Sequence, residues 1–222
     1  MTPTAADLYA LALTDDAPRL RARRPDGTTL RLALDRWLGP LTAVDAAVLD
    51  RASAPVLDVG CGPGRHVLAL ARRGRLALGV DIAPAAVRVA RLRGAAAIEG
   101  SVFDRGPGAG TWGSALLLDG NIGIGGAPEA LLARLGELLR PAGEVLVELA
   151  PPGVAVTSER IRLELGGLHS RPFAWAYVGA DAIDAPARAA GFAVAERWRD
   201  ERRWFARLVA AGITFEVLER SS

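Results

Sequence analysis

The sequence predicts an α/β domain: a mostly parallel sheet with helices on both faces. Three observations carry that expectation. Short apolar strands alternate with helices from Pro55 to Leu149. The first of these strands runs into a glycine-rich stretch that opens a helix. The last two strands are joined by a few polar residues, too short a link for a parallel crossover, so they form an antiparallel pair. A chain of 222 residues fits one large domain.

The elements follow in order. Thr4 to Leu13 suggests a helix. Arg19 to Leu34 holds the turn signal Pro25-Asp26-Gly27 between flanks that alternate apolar and basic residues, which predicts a hairpin with one solvated face. Asp35 to Leu38 and Asp45 to Ala52 read as helical pieces. Pro55 to Val59 is the first core strand, and Arg65 to Arg73 a helix closed by Gly74. Leu76 to Val80 is the second strand, followed by a helix from Pro84 to Arg93, with proline suited to its first turn. Ala95 to Ile98, Ser114 to Leu118 and Gly143 to Leu149 complete five strands, with a helix from Pro128 to Leu139. The rhythm breaks after Ala150-Pro151-Pro152. Ser158 to Leu165 and Phe173 to Val178 read as extra strands, Asp181 to Ala190 as a helix, and Phe192 to Trp198 and Arg203 to Val209 as the closing pair.

Composition excludes several functions. The 27 basic residues are all arginine, against 25 acidic ones, a net charge of +2. Without lysine there is no Schiff base and no P-loop lysine. The balance does not suit a phosphate-gripping domain, so no nucleic-acid partner is expected. The single cysteine, Cys61, excludes a disulfide framework and a thiolate metal cage, and it reads as a small buried filler. No apolar run reaches a membrane span, and Met1 to Asp16 makes a poor signal peptide, so a cytoplasmic protein is expected.

The informative stretch is Val56-Leu57-Asp58-Val59-Gly60-Cys61-Gly62-Pro63-Gly64-Arg65-His66. Glycines here permit a tight turn and let a ligand approach the backbone. This is not the dinucleotide fingerprint, because Arg65 stands where its last glycine would be. Asp58 would repel a pyrophosphate and attract an ammonium group. Seventeen residues after Gly64, Gly79-Val80-Asp81-Ile82 places an acid at the end of the second strand. Such a carboxylate can accept two hydrogen bonds from a cis-diol.

These two motifs resemble those of the class I S-adenosylmethionine-dependent methyltransferases. The resemblance runs by motif from Pro55 to Leu149, and the closing pair extends it to Val209. It implies a Rossmann-like methyltransferase fold with a seven-stranded, mostly parallel sheet and an antiparallel closing strand, plus an N-terminal lid and extra strands after the fifth. It divides one domain, 1–222, into a lid (1–52), a cofactor-binding core (53–150), a substrate-side insertion (151–180) and a closing segment (181–222). It implies S-adenosylmethionine as cofactor, held by Asp58, Gly60, Cys61, Gly62, Gly64, and by Asp81 on the ribose with Ile82 beside it. The third segment departs from the family, with Ser101 in place of the usual acid. Adenine would then rest against Val102 and Phe103, with Ser101 or Asp104 near its amino group.

The fourth segment, Asp119-Gly120-Asn121, lies where the family brings the methyl group to its acceptor. It lacks the Asn/Asp-Pro-Pro-Tyr/Phe motif of base amino-methyltransferases. Asp119 and Asn121 are the polar groups expected to face the methyl. Asp119 reads first as a cofactor or loop-organising residue and second as a base. A general base is needed only if the acceptor must lose a proton, and the candidates are His169, Asp119, His66 and Tyr177. His66 lies in the first turn of a helix, where the dipole disfavours a cation, so a neutral packing role is expected. Arg160, Arg162 and Arg171 flank His169. They read as a solvated strand face or as a clamp for a carboxylate or phosphate. The expected partner is a small-molecule acceptor, with an anionic one fitting the second reading, and the chain a monomer or homodimer without metal. Alternatives are an RNA or protein methyltransferase, a non-catalytic cofactor-binding module, or another use of the same cofactor.

Overall fold

The protein is described by a computed structural model covering residues 2–14, 19–104 and 108–211. The chain begins with α1 (Ala5–Thr14), the hairpin β1 (Arg21–Arg23) and β2 (Thr29–Arg31), then α2 (Leu34–Leu38) and α3 (Ala43–Arg51). The core alternates β3 (Val56–Val59), α4 (Arg65–Arg72), β4 (Ala77–Asp81), α5 (Pro84–Leu92), β5 (Ala97–Glu99), β6 (Trp112–Leu117), α6 (Pro128–Leu138) and β7 (Leu139–Leu149). There follow β8 (Thr157–Leu165), β9 (Leu168–His169), β10 (Phe173–Tyr177), α7 (Asp184–Ala189), β11 (Phe192–Asp200) and β12 (Arg203–Ala210). The expected closing segment continues to Ser222, and 212–222 lie outside the described residues.

The larger sheet has seven strands in the order β11-β12-β7-β6-β3-β4-β5. β12 runs against both of its neighbours, and the pairs from β7 across to β5 are all parallel. This is the expected Rossmann-like architecture. The reason is visible in the strands. Val56, Leu116, Leu146 and Phe205 pack on one face with α3, α4 and α5. Leu57, Leu117, Val145 and Val147 pack on the other with α6 and α7. Period-two alternation here separates two apolar faces, so each strand is hydrophobic throughout. Pro84 and Pro128 stand in the first turns of α5 and α6, where a missing N–H costs nothing. A capping box between Thr42 and Asp45 starts α3.

The second sheet was not legible as a unit. The N-terminal hairpin and the insertion after β7 join in one antiparallel sheet, β10-β8-β1-β2, with β9 paired to β8. Ala22 stands opposite Leu163 and Arg23 opposite Arg162. Alternation in β8 buries Ile161, Leu163 and Leu165 and leaves Arg160 and Arg162 exposed. Leu8, Leu20 and Ala22 close the same small core from the N-terminal side. The sheet and α1 thus form a roof over the carboxyl ends of β3, β4 and β6. That is where strand order reverses and ligands bind in open α/β sheets. Among the described residues no helix is long and apolar enough to cross a membrane.

Leu8 is fully buried in this roof core. Leu8→Ala is expected to destabilise the protein by about 2–5 kcal/mol. Urea unfolding measures it, and a loss well under 1 kcal/mol would show that the roof is loosely packed.

Candidate active site

The turn after β3 is shaped by its glycines. Gly60 adopts φ +70°, and a Cβ there would meet Asn121 Nδ2 at 2.7 Å. Gly64 adopts φ +76° as α4 begins, with the methyl of Ala95 2.8 Å from any added Cβ. Asn121 holds the turn in place, donating from Nδ2 to the carbonyls of Val59 at 2.8 Å and Gly60 at 3.0 Å. Across the turn, the Asp81 carboxylate accepts one hydrogen bond from Gly62 N and one from Ala83 N, each 2.8 Å. Burial raises the Asp81 pKa above the usual carboxylate value, with these two backbone donors opposing the rise.

Behind the turn lies a buried cluster of charge. Asp45, fully buried, accepts from Thr42, from Arg65 and, at 2.6 Å, from Arg203. Arg65 reaches on to Asp119 at 2.9 Å, and Arg36 also pairs with Asp119. Arg203 grips Glu148 with two hydrogen bonds, at 2.8 and 2.7 Å. Glu148 also accepts from Asp119 N at 2.7 Å. That bond helps to hold Asp119 at φ +56°, a left-handed conformation that few residues other than glycine adopt. His66 Nδ1 lies 3.3 Å from Asp58, and its Nε2 is 3.9 Å from Asp45. Burial alone would depress the His66 pKa. The carboxylates of Asp58 and Asp45 outweigh it and lift the pKa to about 9. Burial alone would likewise raise Asp119, but Arg65, His66 and Arg36 hold its pKa below the usual value.

Two adjoining cavities open over these residues. One, about 420 Å³, is floored by Gly60, Cys61 and Gly62 and walled by Asp81, Ser101 and Val102. The other, about 540 Å³, lies beneath the second sheet, walled by Trp37, Phe173, Trp175 and Tyr177 with Arg31 and Arg36. Tyr9, Trp37, Asp81, Asp119, Asn121 and Trp175 line both.

Comparison with known proteins decides what this arrangement belongs to. A family model described as "Methyltransferase domain" matches residues 56–143. An S-adenosylmethionine-dependent methyltransferase structure from Bacteroides fragilis, in complex with S-adenosyl-L-homocysteine, superposes with a TM-score of 0.81. It shares 26% identity, over 95% of this chain and 98% of that one. The domain match and the superposition support a class I S-adenosylmethionine-dependent methyltransferase. Among curated relatives, a trans-aconitate 2-methyltransferase of Deinococcus radiodurans is 31% identical over 60% of this chain and 55% of its own length. A ubiquinone biosynthesis O-methyltransferase of Xanthomonas oryzae pv. oryzae is 51% identical over 49 residues, 22% of this chain. The chain spans only 20% of that enzyme's length.

S-adenosylmethionine is the cofactor, and the first cavity fits it. The glycine turn admits a ligand against bare backbone, and Asp81 keeps acceptor capacity for a diol. Of the residues expected around the cofactor, Gly60, Cys61, Gly62, Asp81, Ile82, Ser101 and Val102 line the cavity, as do Asp119 and Asn121. Gly64 lies behind, against α5.

Four expectations need correction. Asp58 lines neither cavity, because it is 1% exposed and paired with His66, so no ammonium group reaches it directly. Phe103 also stands outside the first cavity, near Gly125. His169, expected among the catalytic residues, sits exposed on β9 against Glu164, outside both cavities. Arg160 and Arg162 point outward with it, and Arg171 binds the carbonyl of Thr2. His66, expected neutral, faces Asp58 and Asp45, whose carboxylates raise its pKa. Tyr9, Arg36, Trp37, Asp45, Glu148 and Arg203 were missed, since they come from segments far from the motifs. A sequence signal that could have found one of them is Asp45 three residues after Thr42, a capping pattern.

The His66 pKa gives a pH dependence. It is raised above the ordinary 6.5, so its contribution to stability is fully present below about pH 6.5 and lost as pH rises through about 9. The melting temperature of the protein should therefore fall between those values. His66→Gln should flatten that fall, and an equal fall in the variant would show that His66 is not the titrating group.

Proposed function

We propose that this protein transfers a methyl group from S-adenosylmethionine to a small-molecule acceptor held in the cavity beneath the second sheet. One observation carries the reading: the glycine-floored cavity and the aromatic cavity share a wall at Asp119 and Asn121. When bound, the cofactor supplies a methyl group already activated on a sulfonium sulfur. The protein's task is then alignment and exclusion of water. Asp81 holds the ribose, Ile82, Ser101 and Val102 enclose the adenine, and Gly60 and Gly62 let the ligand lie on the backbone. Asn121 fixes the turn. Asp119, pinned by Arg65 and Arg36, acts as a fixed anion beside the transfer point. The open second cavity supports an enzyme over a non-catalytic module, for which a filled acceptor site is expected.

The relatives add a substrate class: their names specify ubiquinone biosynthesis and trans-aconitate, both small-molecule chemistry. Arg31 and Arg36 at the acceptor cavity suit an anion. In this reading 1–222 works as one domain, with the described residues of 1–52 and 151–180 covering those of the core 53–150, and 181–211 closing the sheet. The protein acts in the cytoplasm as a monomer or homodimer.

Isothermal titration with S-adenosylhomocysteine tests the reading. Binding in the micromolar range is expected, and its absence in folded protein sinks the proposal. Asp81→Ala should weaken it by roughly 10- to 100-fold, the equivalent of about 1.4–2.7 kcal/mol. An unchanged dissociation constant would show that Asp81 does not hold the ribose.

A further inference from the structure

Resting on the function proposed above, we infer that the acceptor is a planar oxygen acid that arrives already ionised, and that no protein group removes its proton. The proton acceptors that line the two cavities are each engaged or protonated. Glu148 already accepts three hydrogen bonds, two of them from Arg203 and one from Asp119 N. Asp119 is paired with both Arg65 and Arg36. A carboxylate stabilised in this way is a poor base. Asp81 accepts from Gly62 N and Ala83 N, and the ribose diol takes its remaining acceptor capacity. His66 lies 3.3 Å from Asp58, and the carboxylates of Asp58 and Asp45 outweigh burial and raise its pKa to about 9, which disfavours it as a base at neutral pH. Tyr9, Tyr177 and the Cys61 thiol are held protonated, their pKa values raised by burial. Arg31 and Arg36 cannot serve as bases. His169 is outside both cavities.

The site therefore needs a nucleophile that is complete on arrival. An aliphatic amine is protonated at neutral pH and would meet Arg31, Arg36 and a sulfonium charge. A neutral alcohol needs a base. An ionised oxygen acid needs none, and the charges favour it. Asp45, Asp58, Asp119 and Glu148 are matched by Arg36, Arg65, Arg203 and protonated His66. Asp81, which lines both cavities, offsets the sulfonium, and Arg31, paired among the described residues with the exposed Asp35, then leaves the acceptor cavity positive. The walls of Trp37, Phe173, Trp175 and Tyr177 select a flat, apolar skeleton. An oxygen lone pair forms the O–CH3 bond. The C–S bond breaks, its electron pair returns to sulfur, and a neutral methylated product leaves with no proton to dispose of.

The probe is para-nitrophenol, a planar oxygen acid whose ionised form is yellow, added to protein saturated with S-adenosylhomocysteine. At a pH below that of its free ionisation, bound dye is expected to be yellow. Calorimetry in two buffers of different ionisation enthalpy should show about one proton released per dye bound. Dye bound colourless, or yellow without proton release, would mean a neutral acceptor or a base in the protein, and either overturns the inference. No dye binding while S-adenosylhomocysteine still binds also overturns it. Failure of S-adenosylhomocysteine itself to bind overturns the proposed function instead. Arg31→Gln should weaken dye binding several-fold, and an unchanged affinity would remove Arg31 from the site.

Discussion

The structure depends on a cluster of buried charges that must be satisfied together. Asp45 joins Arg65 at the start of α4 to Arg203 at the start of β12, and Arg65 and Arg203 continue to Asp119 and Glu148 at the ends of β6 and β7. Removing one member of such a set leaves an uncompensated charge and costs about 3–5 kcal/mol. Stability alone does not explain keeping it, because an apolar replacement can be equally stable. What it provides is position. Four separate segments are tied to the same carboxylates, and the glycine turn is fixed relative to the loop that carries Asp119.

This arrangement explains which parts were legible in advance. The sheet was legible because apolar strands and helices alternate along the chain, and local periodicity reports local structure. The first cavity was legible because its glycines and Asp81 lie close together in sequence. Asp58 and His66 show the limit of that approach. Each was read alone, one as a ligand for an ammonium group and one as a neutral packing group. They lie 3.3 Å apart without solvent: His66 screens Asp58 from a ligand, and Asp58 raises the His66 pKa. The acceptor side was least legible. Its walls come from α1, α2, β2 and β10, and no spacing in the sequence announces that they meet. His169 sat in the right segment, but alternation in the second sheet turned that edge outward.

The roof and the core also divide two kinds of work. The core strands are apolar on both faces, and their side chains have little freedom to vary. The roof is a smaller sheet with one buried face, resting on a short hydrophobic cluster around Leu8, Leu20 and Leu163. Its inward residues touch the acceptor cavity and its outward ones touch solvent. Acceptor preference can thus shift through the roof without disturbing the cofactor turn.

The pairing of Arg21 with Glu164 has a consequence for how the protein is made. The N-terminal hairpin emerges first, yet the strand that completes its sheet lies about 140 residues later. At roughly 5–20 residues per second, the hairpin waits about 7–30 seconds during synthesis with one edge unpaired. The basic residues Arg21 and Arg23 on that edge strand make it a poor template for association with other nascent chains. The arginines of this segment therefore guard the chain before its acceptor site exists.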